Sequence, residues 1–362
     1  MKKTLIFGAC LLFAQHIAIA QTSQYKPVEG KIMTEWATQV TPENVHQEYP
    51  RPQMTRENWV NLNGLWDYAI KPKGQAIPTS FDGEILVPFA VESALSGVGK
   101  TVGKDNELWY NTTFSTPKKS NKDKVLLHFG ASDWETEVFV NGKSIGKHRG
   151  GYDPFDFDIT NHLKSGKSQT LQVRVWDPSD EGPQPRGKQV KNPNSIWYTP
   201  VTGIWQTVWL ETVPAAYISG LRNTSDIKSK EIMVTPEVAG AVAGNQVKVS
   251  AWKDGVMLAE QTVKPSETAK LAISDAQLWA PGNPVLYDLK VELVDGKKIV
   301  DAVGSYAALR EISMAADENG IQRMMLNGEF LFQFGPLDQG WFPDGLYTAP
   351  SHEAMVFDIQ KT

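Results

Sequence analysis

Residues 129–177 read FGASDWETEVFVNGKSIGKHRGGYDPFDFDITNHLKSGKSQTLQVRVWD, and this stretch decides the fold. An apolar run, VFV, leads into Asn141-Gly142, with Ile145 beyond the pair. Asn-Gly between apolar runs is the signal of a type I′ hairpin, because both turn residues need positive φ. Two further segments alternate apolar and polar residues, at Phe155, Asp156, Phe157, Asp158 and Ile159, and at Leu171, Gln172, Val173, Arg174 and Val175. Each predicted strand therefore has one dry face and one wet face, and the stretch predicts half of a β-sandwich.

A long loop follows the last of these strands, which ends at Trp176-Asp177. Residues 178–195 are polar, rich in Pro and Gly, and without periodicity. Rigid scaffolds often carry their functional residues on long loops at strand ends. Asp177 is therefore a candidate functional residue on its position alone.

Length and composition set the class of protein. At 362 residues, 41% hydrophobic and 21% charged, the chain is long enough for two or three domains that each bury a core. Its 12 Trp residues are many. Tryptophan-rich β proteins often bind sugars because flat apolar rings match the CH faces of pyranoses, although a single Trp is more often a core residue. The net charge of −5 gives no indication of binding to nucleic acid or to an anionic membrane.

Residues 1–20 have the features of a cleavable signal peptide. Two lysines precede an apolar run, and Ala18-Ile19-Ala20 ends it before Gln21, which predicts cleavage after Ala20. The run is too short for a membrane span. A lipoprotein signal at Cys10 is the alternative, and it is less favoured because the apolar run continues past that residue. Cleavage removes the two lysines and the single cysteine, so we expect an exported, periplasmic chain of net charge −7 without disulfides.

Residues 21–58 contain several prolines and little periodicity, so we expect an extended lead-in that lies over the first domain. Regular structure begins at residues 59–70. Further strands are predicted at 85–88, 108–114 and 203–213, the last of them (GIWQTVWLETV) as one continuous strand. Because no amphipathic helix of consequence occurs up to this point, residues 59–213 are predicted to form an all-β domain.

Residues 214–316 predict a second, smaller all-β unit. Asp254-Gly255 and Asp295-Gly296 separate short runs of alternating apolar residues, as in tight hairpins. Regular turn spacing over about a hundred residues is typical of an immunoglobulin-like sandwich. The unit contains no catalytic cluster, and we expect it to hold the neighbouring domains at a set angle.

The pattern changes from residue 317 onwards. Asn327-Gly328 predicts another hairpin, a loop rich in Gly and Pro follows, and Ser351 suits the N-cap of a helix that contains Met355 and Ile359. One strand followed by one helix cannot bury its own apolar faces and normally belongs to a parallel β/α architecture. Residues 317–362 are therefore expected to be the first unit of a barrel whose remainder is absent from this chain.

Six segments of the sequence resemble the family 2 glycoside hydrolases, the group that contains β-galactosidases, β-glucuronidases and β-mannosidases. They occur in the family's order and cover nearly the whole mature chain: RPQMTRENWVNLNGLWDYAI from Arg51, LWYNTTFSTP from Leu108, FGASDWETEVFVNGKSIGKHRGGYDPFDFDIT from Phe129, LQVRVWDPSD from Leu171, GIWQTVWLE from Gly203, and LNGEFLFQFGPLDQGWFPDGLYTAP from Leu326. The resemblance implies a jelly-roll sugar-binding domain, an immunoglobulin-like domain and the opening of a (β/α)₈ catalytic barrel.

The resemblance also implies sugar-binding positions on the jelly roll, whose rim in this family reaches over the mouth of the barrel. Two such positions fall on Asp177 and Asn111, and Asp177 is the stronger candidate. For Asn111 the alternative is a sheet-edge or loop residue with its amide in water. Trp176 is a candidate flank of the site, and Trp197 with Tyr198 are candidate platforms for a sugar ring, each with a packed core role as the alternative.

Hydrolysis requires residues that this chain does not supply. Retaining glycosidases use a general acid/base and a nucleophile about 5 Å apart, and the resemblance implies two glutamates on later barrel strands, beyond the last residue of this chain. Asp153, Asp156 and Asp158 are the obvious substitutes, but alternation places Asp156 and Asp158 on the wet face of a strand. No catalytic residue is therefore assigned, and the polypeptide alone is not expected to hydrolyse glycosides.

The sequence thus predicts the N-terminal portion of an exported, β-galactosidase-like family 2 glycosidase whose partner is a β-glycoside. The alternative is a non-catalytic carbohydrate-binding protein that uses the jelly-roll rim. The first is favoured because a strand and helix after Leu326 without partners would expose apolar surface. We predict no nucleic-acid partner, no membrane span, no cofactor and no metal site, since the six histidines show no metal-ligand spacing.

Overall fold

The computed structural model describes residues 25–166 and 168–362. Antiparallel strands make up nearly all of its regular structure, beside one α-helix and two short 3₁₀ helices, Glu35–Gln39 and Thr160–His162. The all-β prediction is therefore confirmed. The predicted signal peptide, residues 1–20, lies outside the described residues. No helix in the described ranges has the length and apolarity needed to cross a membrane.

The first domain is a sandwich of two antiparallel sheets. Its strands are β1 (Trp59–Asn61), β2 (Gly64–Pro72), β3 (Gly83–Val87), β4 (Asn106–Ser115), β5 (Lys124–Phe129), β6 (Ser132–Asp133), β7 (Glu135–Val140), β8 (Lys143–Arg149), β9 (Phe155–Asp158), β10 (Ser168–Trp176), β11 (Gly203–Ile204) and β12 (Val208–Val213). One sheet has the order β1-β12-β5-β9 and the other β3-β2-β4-β10-β7-β8, while β11 and β6 form a short separate pair.

The core of this sandwich lies between the two sheets. Leu127 from the four-stranded sheet and Val138 and Val173 from the six-stranded sheet are fully buried in one apolar cluster. Full burial of such a side chain stabilises the fold by about 1.5–3 kcal/mol. The alternation read from the sequence is present, because Asp156 and Asp158 on β9 are exposed while the flanking apolar residues turn inward.

The predicted hairpin connects β7 to β8. Asn141 has φ 53° and Gly142 has φ 78°, the paired positive values that an Asn-Gly turn supplies. The turn sets the register in which Val140 faces Lys143. β10 then pairs with β7 on one side and β4 on the other, so residues 129–177 supply three consecutive strands at one end of the larger sheet, β10-β7-β8, and the edge strand β9 of the smaller sheet.

The predicted continuous strand over residues 203–213 is wrong between 205 and 207. β11 pairs with β6, whereas β12 pairs with β5 and β1, so the chain changes partners between them. Within the break, Trp205 N donates to the Ala131 carbonyl oxygen at 3.2 Å, and Thr207 O accepts from Gly130 N at 2.9 Å. The break brings the start of β11 to the end of the sandwich where the long loop returns.

The lead-in segment packs on the first domain. Ala37, Val40 and Val45 are buried in an apolar cluster with Leu86 and Phe89 of the sandwich. Arg56, near the end of the lead-in, reaches the second domain through a buried ion pair with Asp301. The lead-in therefore contributes buried side chains to the core of the first domain and an ion pair to the second.

The second domain is a sandwich of seven strands. They are β13 (Tyr217–Asp226), β14 (Glu231–Ala239), β15 (Asn245–Lys253), β16 (Val256–Val263), β17 (Ala269–Ala272), β18 (Tyr287–Asp295) and β19 (Lys298–Ala307). A three-stranded sheet, β13-β14-β17, packs on a four-stranded sheet, β16-β15-β18-β19, around its own buried cluster. Asp254-Gly255 forms the turn between β15 and β16, whereas Asp295 ends β18 and the turn to β19 is made by residues 296 and 297. Seven strands divided in this way match the immunoglobulin-like prediction.

The C-terminal part has three short strands and the one helix. The strands are β20 (Ile312–Ala316), β21 (Gln322–Leu326) and β22 (Glu329–Phe330), and the helix is α1 (His352–Lys361). Asn327-Gly328 forms the predicted turn between β21 and β22, with φ 55° and 83°. Ser351 caps α1 as predicted, its hydroxyl accepting from Ala354 N at 3.3 Å. The strand pairs among the named strands are all antiparallel, so membership of a parallel barrel stays a prediction.

Candidate functional site

Asp177 lies at the end of β10, at the start of the long loop, and only 2% of it is exposed. Its Oδ1 accepts hydrogen bonds from Ser179 N at 2.8 Å and Gln184 Nε2 at 3.2 Å, and its Oδ2 accepts from Thr202 Oγ1 at 3.1 Å. These three donors come from the beginning, the middle and the end of the loop over residues 178–202. Asp177 therefore holds the loop against the sandwich and presents no oxygen to solvent in this conformation. Sugar binding by Asp177 remains a prediction.

Two further carboxyl groups share this buried region. Thr202 N donates to Glu92 Oε2 at 2.9 Å, so Thr202 contacts both Glu92 and Asp177. Asp133, on β6, pairs in register with Gly203 of β11, the residue after Thr202. Glu92 and Asp133 are each 2% exposed. We call Glu92, Asp133 and Asp177 the carboxyl cluster.

Burial changes the acidity of the whole carboxyl cluster. Desolvation raises the pKa of Glu92 to about 8 and that of Asp133 to about 8, and the neighbouring Asp177 charge adds to both shifts. Desolvation also raises the pKa of Asp177, while its hydrogen bonds from Ser179, Thr202 and Gln184 oppose that change. Near neutral pH the cluster therefore holds protons that exposed carboxyl groups would have lost.

Aromatic side chains gather beside the carboxyl cluster. Tyr152, Tyr198, Trp205, Trp341 and Tyr347, which we call the aromatic cluster, come from four separate parts of the chain. Tyr347 lies at its centre, with ring centroids 5.2 Å from Trp205, 5.1 Å from Trp341 and 5.8 Å from Tyr152. Tyr198 lies 4.7 Å from Trp341. Tyr152 is 40% exposed, so the cluster reaches the surface.

Gln189 connects the two clusters. Its Nε2 donates to Tyr347 Oη at 3.3 Å, and its Oε1 accepts from Val201 N at 2.5 Å. The same amide lies close enough to Asp133 to favour the charged form of that carboxyl. On the other side, Trp205 Nε1 donates to the Gly151 carbonyl oxygen at 2.7 Å. An aromatic surface with hydroxyl and indole groups above buried acids can bind a polyhydroxylated ring by stacking and hydrogen bonds.

Asn111 lies elsewhere. It is on β4, opposite Gln172 of β10, and its Nδ2 donates to Asp67 Oδ2 at 2.8 Å. Gln172 is five residues before Asp177, which separates Asn111 from the carboxyl cluster by about 17 Å along the strand. The structure therefore does not bring these two predicted site residues together, and a sugar contact by Asn111 remains a prediction.

The predicted aromatic residues divide into two groups. Trp176 is half-buried away from the aromatic cluster, where its Nε1 donates to the Lys104 carbonyl oxygen and the Lys73 ammonium lies 3.0 Å from the ring centroid. Tyr198 belongs to the aromatic cluster, and its neighbour Trp197 is 41% exposed on the same loop. Tyr198 Oη also donates to Gln339 Oε1 at 3.2 Å. Trp197 and Tyr198 are thus better placed to meet a ligand than Trp176.

Sequence reasoning missed most of the carboxyl cluster and of its surroundings. Glu92 lies in a turn without alternation, Asp133 in a two-residue strand, and Gln189 in the loop, so no periodic signal marks them. Trp341 and Tyr347 lie in a segment predicted only as loop. A Glu or Asp flanked by small and apolar residues, as in AVESA and GASDW, is the weak signal that was available.

In residues 25–166 and 168–362, no three His, Cys, Asp or Glu side chains are arranged to share a metal ion. The hydrogen bonds that the carboxyl cluster accepts come from neutral groups, namely backbone N–H groups, a hydroxyl and an amide. The exposed Asp156 and Asp158 stand apart on β9 and form no enclosed acid pair.

Two family models match the chain. Residues 99–214 match the model described as "Glycosyl hydrolases family 2, sugar binding domain", and residues 216–310 match "Glycosyl hydrolases family 2". Together these matches cover more than half of the chain, namely β4 to β12 of the first sandwich and all seven strands of the second. The chain belongs to family 2 of the glycosyl hydrolases.

Relatives with assigned names agree with this family. A "Beta-galactosidase" of Thermoanaerobacter pseudethanolicus is 27% identical over 232 residues, which cover 61% of this chain and 30% of that protein. A "Beta-glucuronidase" of Paenibacillus borealis is 23% identical over 302 residues, covering 78% of this chain and 49% of that protein. The matched region thus spans half or less of the length of these relatives.

Solved structures show the same fold. The β-glucuronidase of Ruminococcus gnavus superposes with a TM-score of 0.67 at 20% identity, covering 88% of this chain and 54% of that chain. A putative β-galactosidase of Bacteroides fragilis gives a TM-score of 0.64 at 21% identity, covering 83% and 47%. At these identities the likeness concerns the fold alone.

Proposed function

We propose that this chain is the sugar-recognising N-terminal part of an exported, β-galactosidase-like enzyme that hydrolyses β-glycosides. The aromatic cluster and the exposed Trp197 form the binding surface, and the carboxyl cluster holds the loop and β11 that carry it. The immunoglobulin-like sandwich sets the orientation of the jelly roll. Residues 317–362 begin the (β/α)₈ barrel, and residues 1–20 direct export.

The observation that carries this proposal is the convergence of aromatic rings at one end of the jelly roll. Tyr198 comes from the long loop, Tyr152 from the connection between β8 and β9, and Trp341 from the segment after β22. The side chains of the aromatic cluster are in contact although they are far apart in sequence, and Tyr152 within it is 40% exposed. Trp197, which precedes Tyr198 in the chain, is 41% exposed. Exposed, pre-arranged rings stack on sugars at low entropic cost.

The charges around the two clusters support a neutral sugar. A uronic acid carries a carboxylate that needs a cation partner once it leaves water. Near the clusters, Lys31 and Arg186 already bind backbone carbonyl oxygens, and the Lys188 ammonium lies over the Tyr198 ring at 5.7 Å. We therefore propose a neutral glycone such as galactose over a glucuronide, although glucuronidases occur among the relatives.

We further propose that this polypeptide binds glycosides without hydrolysing them. Retaining hydrolysis needs two carboxyl groups about 5 Å apart on either side of the glycosidic bond. The acids of the carboxyl cluster are enclosed, and Asp156 and Asp158 are exposed on an open strand. The catalytic pair is proposed to belong to the portion of the longer relatives that this chain does not match.

Titration calorimetry of the purified chain tests the proposal, with p-nitrophenyl β-galactoside and p-nitrophenyl β-glucuronide as ligands. We expect millimolar binding of the galactoside, weaker or no binding of the glucuronide, and no release of p-nitrophenol. Trp197→Ala and Trp341→Ala should each weaken binding at least tenfold, about 1.4 kcal/mol. Trp252→Ala, a half-buried indole in the second sandwich, is the matched control.

Three results would count against this function. Absence of binding to any simple glycoside would remove sugar recognition by the aromatic cluster. Equal weakening by Trp252→Ala would show that the loss comes from general destabilisation. Release of p-nitrophenol by protein of verified purity would show that the chain carries its own catalytic pair.

A further inference from the structure

Residues 341–349, which we call the latch, cross the end of the jelly roll above the carboxyl cluster. Thr348 Oγ1 donates to the Trp205 carbonyl oxygen at 2.6 Å, and the Asp344 carbonyl oxygen accepts from Leu95 N at 3.0 Å. Tyr347 Oη lies 3.1 Å from Tyr152 Oη. The latch supplies Trp341 and Tyr347 to the aromatic cluster, so its position decides whether that cluster exists.

The carboxyl groups beneath the latch are incompletely bonded. Glu92 Oε1 and Asp133 Oδ1 are buried without a hydrogen-bond partner among the residues that the structure describes. An ionised carboxylate in this state would cost several kcal/mol, whereas a protonated one loses far less on leaving water. Folding around these groups therefore favours their neutral forms.

Among the described residues, no cation forms an ion pair with a carboxyl oxygen of Glu92 or Asp133, although Lys31 attracts Glu92 at longer range. The charged and titratable groups that face the carboxyl cluster and the latch are Lys31, His46, Tyr110, Tyr152, Asp180, Arg186, Lys188 and Asp344. His46 Nε2 lies 2.8 Å from the Ala349 carbonyl oxygen of the latch. Lys31 Nζ donates to the backbone carbonyl oxygen of Glu92, and Arg186 Nε to that of Gln189. Lys31 and Arg186 thus bind backbone oxygens, the Lys188 ammonium lies over the Tyr198 ring at 5.7 Å, and the carboxyl oxygens receive hydrogen bonds from neutral groups.

Each carboxyl group is adjacent to an anchor of the latch. Glu92 belongs to the turn whose Leu95 N–H binds the latch at Asp344. Asp133 neighbours Gln189, whose amide donates to Tyr347 Oη at 3.3 Å. If either carboxyl ionised or water entered beside it, the hydrogen bonds from Leu95 N to the Asp344 carbonyl oxygen and from Gln189 Nε2 to Tyr347 Oη would be the first to weaken.

We propose that the latch is a pH-dependent cover, closed while Glu92 and Asp133 are protonated and loosened as they ionise. The proposal deepens the proposed function and rests on it for its consequence, since opening would dismantle the aromatic cluster and weaken glycoside binding. The opening itself can be measured without any sugar, so failure of one proposal is distinguishable from failure of the other.

The direction of the pH effect follows from linkage. Burial raises the pKa of Glu92 and of Asp133 to about 8, and opening to water returns both towards the ordinary carboxyl range of about 4. The closed state is therefore fully stabilised below pH about 4 and loses that advantage as the pH rises through about 8. Latch opening should increase over this window and level off above it.

Hydrogen–deuterium exchange of the full chain at pH 5 and pH 8.5, corrected for intrinsic exchange rates, tests the proposal. We expect protection of the latch peptide and of the peptide containing Leu95 to fall at least tenfold, while β18 in the second sandwich keeps its protection. The double variant Glu92→Gln and Asp133→Asn cannot ionise and should lose most of this pH dependence. Glu181→Gln, which changes an exposed carboxyl outside the carboxyl cluster, should retain it.

Equal protection of the latch in the native chain at both pH values would overturn the proposal. The proposal would also be overturned if the protection of the latch in the double variant fell between pH 5 and pH 8.5 as much as in the native chain. A fall that extends equally to β18 would indicate global unfolding in place of latch opening. Because the native chain alone gives a decisive result, the test does not depend on the double variant folding.

Discussion

Arg56 Nη1 lies 2.5 Å from Asp301 Oδ1 in a buried ion pair that joins the lead-in to the second sandwich. The same guanidinium lies 3.1 Å, through Nε, from Glu211 Oε2 on β12 of the first sandwich. Glu211 also accepts from Arg51 Nη2 and from Trp209 Nε1, each at 3.0 Å. One arginine thus connects carboxylates of both domains, which gives a physical basis for a fixed angle between them.

Replacing this arginine should be costly. Arg56→Met removes the positive charge that lies between the buried carboxylates of Glu211 and Asp301. Breaking a buried ion pair costs about 3–5 kcal/mol. Urea unfolding measures the loss. Arg149→Met removes an exposed partner of Glu135 and should cost about 1 kcal/mol or less. Similar losses in both variants would contradict the assigned role of Arg56.

His128 should make stability fall in mild acid. Burial lowers the pKa of His128 to about 4, against the attraction of Glu211 that would raise it, so the folded chain resists protonation of a ring that the unfolded chain protonates near pH 6.5. The contribution of His128 to stability is therefore complete above pH about 6.5 and is lost as the pH falls towards 4.

The variant His128→Phe tests this pH effect because it keeps a ring stacked on Trp209, which lies 4.8 Å away. Urea unfolding at pH 4.5 and 7.5 gives the change in stability of each chain, and towards acid this change should be less favourable in the native chain than in the variant by on the order of 2 kcal/mol. The raised pKa values of Glu92 and Asp133 act in the opposite direction, but equally in both chains. His352→Gln, at the exposed start of α1, should behave as the native chain. An unchanged loss in His128→Phe would assign the acid sensitivity to other groups.

Asp177→Ala should destabilise the long loop. The change leaves Ser179 N–H, the Gln184 amide and the Thr202 hydroxyl without their acceptor, which we expect to cost about 1–3 kcal/mol in thermal unfolding. Asp180→Ala, which removes one exposed acceptor for Lys191 N at 3.2 Å in the same loop, is the control and should cost about 1 kcal/mol or less. A stable Asp177→Ala variant with abolished sugar binding would instead support direct contact between Asp177 and the sugar.

Gly203→Ala should destabilise the fold for two reasons, a steric overlap and an unfavourable backbone conformation, and a second variant separates their contributions to the free energy of unfolding. An added Cβ would lie 2.1 Å from Tyr110 Oη, whose oxygen accepts from Ile204 N at 3.1 Å, and φ is +94°. We expect a loss of about 2–5 kcal/mol from overpacking and backbone strain together. Gly166→Ala, with φ +130° and open space around it, should show the backbone part alone, about 1–2 kcal/mol. Differential scanning calorimetry compares the two, and equal losses would exclude the steric contribution.

The β architecture can be predicted from the order of the residues. Alternation placed Val173 inside and Asp156 outside, Asn-Gly pairs located the hairpins at 141–142 and 327–328, and Ser351 located the start of α1. These features are local, because strand faces, positive φ and caps depend on residues within a few positions of each other. The resemblance of six segments then led to the family, which the two family models establish.

The positions of the functional groups follow from the packing of the folded chain. It separated Asn111 from Asp177, buried Asp177 under a loop, and joined it to Glu92 and Asp133. It also interrupted the expected strand at 205–207, because that segment changes its partner strands. Contacts between residues such as Thr202 and Glu92, 110 positions apart, follow from the packing of whole sheets and leave no periodic trace in the chain. Burial and the acidity it produces are properties of that packing, which is why the carboxyl cluster and its latch could not be read from the residues in order.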